Sequence, residues 1–174
     1  AQYGSTTEDR VITSLAFPDA MRTDVGDVSV VLSPSIITHL DGAFRYMYSY
    51  TYGCWEQRLS RAVMAAQYGA LKPYLAEDVV WKGADTLPQQ VLDAAANFQT
   101  PGGGMAYFTP RDDYADPYLS AYTALAFHWL ADAGYTVPAD VSAKLHGYLR
   151  DLLRRDAVPD FYSRGMTSDV RAMA

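Results

Sequence analysis

A single cysteine in 174 residues excludes an internal disulfide and any cysteine-rich metal site. Histidine is nearly as scarce. His39, His128 and His146 fall on three different predicted helices with no ligand-like spacing, so neither a metal nor any other cofactor is expected. Positive charge is also in short supply: 14 Lys and Arg stand against 20 Asp and Glu, a formal net charge of -6. Such a surface disfavours nucleic acid, anionic membranes and acidic substrates as partners. No uninterrupted apolar run reaches bilayer length, so this segment is not expected to contact a membrane directly. The N-terminus lacks the basic-then-apolar order of a signal peptide. It reads as an internal cut, and the targeting signal of an exported parent is expected upstream. What is present is core material, 49% hydrophobic and 20% charged residues, the composition of an ordinary globular domain.

Residues 1–35 carry short β-type runs, Val11-Ile12 and Val28-Ser29-Val30-Val31-Leu32, separated by Pro18 and Gly26. They are too few to build a sheet alone, and a β segment of an adjoining domain is expected there. Residues 36–174 are predicted to be helical. Thr38 and Asp41 cap a first helix with Leu40, Ala43, Phe44 and Met47 on one face. A second helix runs from Cys54 to Leu71, ended by Pro73, with Ala62, Ala65 and Ala66 permitting close packing. A third starts near Pro88 and turns Val91, Leu92, Ala95 and Phe98 inward. From Pro101 through Gly102-Gly103-Gly104 to Tyr114 lies a long, turn-rich loop, of the kind that often carries function.

Asp116 caps a fourth helix with Pro117 at its first position and a stripe of Tyr118, Tyr122, Leu125 and Trp129. Gly134 closes it. Asp140 opens a fifth helix, whose buried face is Val141, Leu145, Tyr148, Leu149 and Leu152, and beyond Pro159 the pattern fades into a polar tail. Five helices in hairpin order predict a mainly α fold of antiparallel pairs.

The chemistry concentrates in Tyr52-Gly53-Cys54-Trp55-Glu56-Gln57. A lone cysteine is more often packing than chemistry. Here, however, Cys54 and Gln57 occupy the first turn of a predicted helix at a spacing that lets their side chains meet. The free backbone N–H groups and the positive end of the helix dipole favour a thiolate and polarise a carbonyl placed there. Attack of the sulfur on the Gln57 carbonyl carbon with loss of ammonia closes an internal thioester. A lysine amine or a hydroxyl then displaces the sulfur, stays attached through Gln57, and frees Cys54. Each molecule reacts once, which makes such a protein a trap rather than a catalyst.

With Ser33-Pro34-Ser35, Leu40-Asp41-Gly42, Arg45-Tyr46 and Ser60-Arg61 around this motif, and Met105-Ala106-Tyr107-Phe108 and Asp116-Pro117-Tyr118 after it, the stretch resembles the thioester domain of bacterial alpha-2-macroglobulins. The resemblance spans roughly residues 23–138. It implies part of an α/α toroid of helical hairpins, preceded by a β segment from an adjoining β-sandwich domain. It also implies a bacterial, periplasmic or envelope-associated protease inhibitor used in defence, trapping proteases through their lysine amines, and not an enzyme. By resemblance Cys54 and Gln57 are the thioester pair, and Gly53 and Glu56 support the turn. Tyr52 and Trp55 are expected to shield the bond from water, with Met105 and Tyr107 helping from across the site.

Trp55 stands where vertebrate members have glycine, and Thr51 where proline is common. Members that prefer hydroxyls carry a histidine in the loop before the fourth helix. None lies between Gly102 and Tyr118, which implies a preference for amines. A truncated toroid exposes faces meant to be covered, by other domains of the parent chain, so self-association or helix exchange between copies is expected.

Other features have plainer readings. Tyr46, Tyr48 and Tyr50 are expected to be helix packing, and His128 a core histidine. Asp112, Asp113 and Asp116 lack the regular spacing of a calcium loop, and Arg150, Arg154 and Arg155 complement a helix end. Two rival functions remain: a cysteine-dependent enzyme on an α-barrel with His39 or His128 as base to Cys54, and a structural fragment with a silent motif.

Overall fold

The computed structural model describes residues 6–10, 12, 14, 16–22, 24–26, 37, 40–155, 159 and 162–174. The chain divides into two compact units, Ala1–Leu32 and Ser33–Ala174. In the first unit the described residues form turns, with the Met21 amide bonded to the Pro18 carbonyl at 2.9 Å. The strands expected at Val11 and at Val28 to Leu32 lie outside the described residues, as do Thr38 and His39, and Ile12 is not in a strand.

The second unit is helical, which bears out the mainly α reading. Among the described residues there are six α-helices: α1 Asp41–Ser49, α2 Trp55–Leu71, α3 Leu87–Asp93, α4 Pro117–Asp132, α5 Ala139–Arg155 and α6 Arg164–Met173. Short 3-10 turns follow α2 at Lys72–Tyr74 and α3 at Ala95–Phe98. The one described β pairing is an isolated bridge between Gln99 and Met105. Helix α2 is central, packed against α1, α3 and α4, while α4 also carries α5 and α6.

Two cores result. The larger gathers Trp55, Leu59, Leu92, Met105, Leu119 and Leu145 from five parts of the chain. The smaller, around Phe44, Tyr68 and Trp81, closes the far end of α2. There the Tyr68 hydroxyl donates to the Val79 carbonyl at 2.8 Å and accepts from the Trp81 amide at 3.2 Å. Each large apolar side chain so buried contributes about 1.5–3 kcal/mol.

The run of glycines ahead of α4 is required by close approach. Gly103 sits at a φ of 92°, and a Cβ there would lie 2.5 Å from the Lys144 carbonyl oxygen. One on Gly104 would collide with Ala115 and the Tyr148 ring. This loop is thereby pinned between α5 and the residue ahead of the α4 cap, Ala115.

Four expectations need correction. In α1 only Phe44 is fully buried, Met47 is partly so, and Leu40 and Ala43 face water; Asp41 instead accepts from the Ala76 amide at 3.4 Å. In α4 the stripe Tyr118, Tyr122, Leu125 and Trp129 is the half-exposed side, and Leu119, Ala126, Phe127 and Leu130 are the buried one. A helix apolar all round gives no period by which to tell its faces. The polar tail is helix α6, capped by Ser163 and anchored by buried Val170. His128 is exposed and pairs with Asp132 at 3.4 Å, one turn along the same helix. No described helix is long and apolar enough to cross a membrane.

Candidate reactive site at the start of α2

Helix α2 begins abruptly because Cys54 is extended, at φ -68° and ψ 162°, and Trp55 is already helical. A helix start leaves backbone N–H groups without partners, and Cys54 and Gln57 supply each other's. The Cys54 sulfur accepts from the Gln57 amide N–H, and the Gln57 side-chain oxygen accepts from the Cys54 amide N–H at 3.3 Å. This reciprocal box folds the glutamine side chain back over the cysteine. Its two groups, a thiol and a carboxamide, are the two reactants a thioester needs. Cys54 is buried and unpaired.

The surrounding bonds fix this turn from several sides. The Gln57 side-chain nitrogen donates to the Tyr50 hydroxyl at 3.3 Å. The Trp55 amide donates to the Tyr107 carbonyl at 2.7 Å, and the Arg58 guanidinium donates to the Gly53 carbonyl at 2.9 Å. Below the turn, Trp55 is fully buried. Its indole N–H donates to Thr123 of α4 at 2.9 Å, and its ring stacks on Phe98 with centroids 5.1 Å apart. Glu56 accepts from Ser60 at 3.2 Å, and Ser60 shares a 2.8 Å bond with the Tyr122 hydroxyl. Arg61 reaches back to the Met47 carbonyl at 3.1 Å, holding the end of α1 against α2.

Of the residues expected to shield the site, Tyr52 stands 67% exposed, with its ring edge-on to Tyr50 at 5.4 Å. Trp55 lies beneath the turn as a wedge against α4. Met105 is fully buried, its amide donating to Ser120 at 2.8 Å, and it shapes the wall of the Gly-rich loop. Tyr107 meets the motif through its backbone carbonyl while its side chain is 38% exposed. Burial, then the charge of Asp116, pushes the Tyr107 hydroxyl up to about 12.

Sequence reasoning assigned Tyr50 to packing, yet it touches the Gln57 amide. Only the return of the chain after α1 brings it there. Arg58 and Thr123 were likewise not singled out, and nothing in their spacing marks them. A groove beside the motif is lined by Gly53, Arg58, Phe98, Phe108, Pro110 and Arg111.

The acidic residues of the loop have local duties. Asp113 accepts from the Gly102 amide at 2.7 Å, Asp112 from the Tyr114 amide at 3.0 Å, and Asp116 from the Leu119 amide at 2.9 Å. Among the described residues no group of His, Cys, Asp and Glu is arranged to hold a metal ion. Nor does any described hydrogen bond join Cys54 to a histidine; His146 is bonded within its own helix to Ser142.

The chain matches no protein-family model and no curated protein sequence. Its fold is similar to that of two solved structures. One is the crystal structure of native alpha-2-macroglobulin from Escherichia coli spanning domain MG7 to the C-terminus, with a TM-score of 0.63 and 20% identity over 78% of this chain and 22% of that one. The other is the cryo-EM reconstruction of the native conformation of the Escherichia coli protein, with a TM-score of 0.63 and 20% identity over 81% of this chain and 9% of that one. The chain thus spans a minor part of either neighbour's length, and the likeness is one of fold.

Proposed function

We propose that this chain is part of the thioester domain of an alpha-2-macroglobulin-like protease inhibitor, and that Cys54 and Gln57 form its internal thioester. The observation that carries the reading is the reciprocal box, in which the Gln57 carboxamide is bonded to the Cys54 backbone at 3.3 Å and the Cys54 sulfur to the Gln57 backbone. Helical-fold similarity to a bacterial alpha-2-macroglobulin supports it independently of the motif. The Cys54 amide polarises the carbonyl to be attacked, and the buried sulfur is kept close to it. Glu56 braces the turn through Ser60 and Tyr122 and takes no part in the chemistry.

In this reading the whole protein is a covalent trap and not an enzyme. Cleavage of the parent exposes the thioester, a lysine amine of the attacking protease displaces sulfur, and the protease remains attached through Gln57. The absence of histidine between Gly102 and Tyr118 supports an amine-preferring bond, and a periplasmic or envelope-associated place is what the resemblance of the motif to bacterial alpha-2-macroglobulins implies. The half-exposed stripe of Tyr118, Tyr122, Leu125 and Trp129 is a surface for other domains of the parent to cover. Without that cover, copies of this chain self-associate or exchange helices.

Intact mass before and after methylamine tests the reading. The full chain is expected to be one ammonia lighter than its sequence, to resist thiol reagents, and to release one thiol per chain on methylamine treatment. A chain of full sequence mass whose Cys54 is labelled at once leaves only a capped helix, and turnover of a substrate by Cys54 would instead establish an enzyme.

A further inference from the structure

We propose that Tyr50 is a catalytic residue of thioester formation, the proton donor to the departing nitrogen of Gln57. This rests on the thioester reading above and adds to it the group that solves its harder chemical step. An amide is a poor acyl donor because its nitrogen must leave as ammonia, not as an amide anion, so a proton has to arrive as the carbon–nitrogen bond breaks.

The geometry places one hydroxyl at that nitrogen. The Gln57 side-chain nitrogen donates to Tyr50 at 3.3 Å, while the side-chain oxygen is held by the Cys54 amide at 3.3 Å. The carboxamide is thus held at both of its polar atoms, its oxygen by the cysteine's backbone and its nitrogen by the tyrosine. In the planar amide the nitrogen lone pair is delocalised, so the nitrogen can only donate. When the Cys54 sulfur adds to the carbon, the carbonyl π pair moves to oxygen and the nitrogen recovers its lone pair. The same contact then reverses, and the hydroxyl donates.

Collapse restores the carbonyl, breaks the carbon–nitrogen bond, and releases ammonia carrying the Tyr50 proton. The proton given up by the thiol returns to Tyr50 through solvent, so the tyrosine is unchanged and the balance is thiol plus carboxamide to thioester plus ammonia. Tyr50 is half-buried and braced by the Tyr46 ring at 5.1 Å and the Tyr52 ring at 5.4 Å. Desolvation, reinforced by Tyr46 and Glu56, raises its hydroxyl above the usual phenol value; a phenol is protonated at neutral pH in any case, so the role rests on the contact with the Gln57 nitrogen.

The test follows the mass of the full chain with time after a pulse of cell-free synthesis. Wild type is expected to lose one ammonia. Tyr50→Phe, which keeps the ring and its packing, is expected to do so about 10²-fold more slowly. Replacing Tyr50 by a fluorinated, more acidic tyrosine is expected to move the alkaline limb of the rate against pH to lower pH, a shift that a merely positioning ring would not produce. Equal rates for wild type and Tyr50→Phe, or an unmoved pH profile, overturn the role of Tyr50 while leaving the thioester standing. A wild-type chain that never becomes lighter overturns the thioester reading, and this inference with it.

Discussion

Helix α4 begins on Asp116, whose carboxylate accepts from the Leu119 amide at 2.9 Å; helix α2 begins on Cys54, whose sulfur accepts from the Gln57 amide. Both caps are buried, and both precede a residue committed to its helix, Pro117 in one and Trp55 in the other. Carboxylates and hydroxyls are the preferred caps, whereas sulfur is a weak acceptor. The Asp116 start is therefore accounted for by stability alone, with Ser163 serving α6 in the same way. The Cys54 start is not. A cap chosen for holding a helix would be oxygen, and a sulfur with a carboxamide folded onto it is the arrangement that the proposed thioester requires.

Substituting Cys54→Ser should break this comparison most completely. It installs a preferred cap, so the urea midpoint is expected to stay the same or rise slightly, while the ammonia deficit and the methylamine-released thiol vanish altogether. A large loss of stability would mean that the sulfur is there for packing after all. Trp55→Ala comes next, with an expected cost of about 3–5 kcal/mol, read from urea unfolding. It opens a cavity between Phe98 and α4 and leaves the Thr123 hydroxyl without its indole partner. A cost below that range would mark Trp55 as a cover for the site and not the wedge beneath it. The smallest effect belongs to the ordinary cap. Asp116→Ala is expected to cost about 1–2 kcal/mol by the same measurement and to leave thiol release by methylamine intact, which would separate the helix start that only holds from the one proposed to react.

The residues show which parts of the fold were legible. Helix α2 was placed from Cys54 to Leu71 because both its signals are local: Gly53 before it, and Pro73 after it in the turn that ends it. The inward set of α3, Val91 and Leu92 followed by Ala95 and Phe98, was likewise readable because polar residues separate its apolar ones. The face of α4 was not, since tyrosine, tryptophan and leucine surround the helix on all sides and only its neighbours choose among them. Helix α6 looked like a polar tail because a single residue, Val170, is fully buried in it, and packing on α4 supplies what its own composition does not.

At the candidate site the same division holds. The pairing of Cys54 with Gln57 followed from sequence alone, because one helical turn brings positions three apart together whatever the rest of the chain does. The neighbours of that pair were decided by tertiary structure. Thr123 reaches the Trp55 indole across 68 residues, Tyr107 offers its carbonyl from the loop pinned by Gly103 and Gly104, and Tyr50 arrives only because α1 ends where Arg61 can hold it. Local spacing determines which groups can meet within a turn. Packing of distant segments determines what surrounds them, since each such contact depends on how the intervening chain folds.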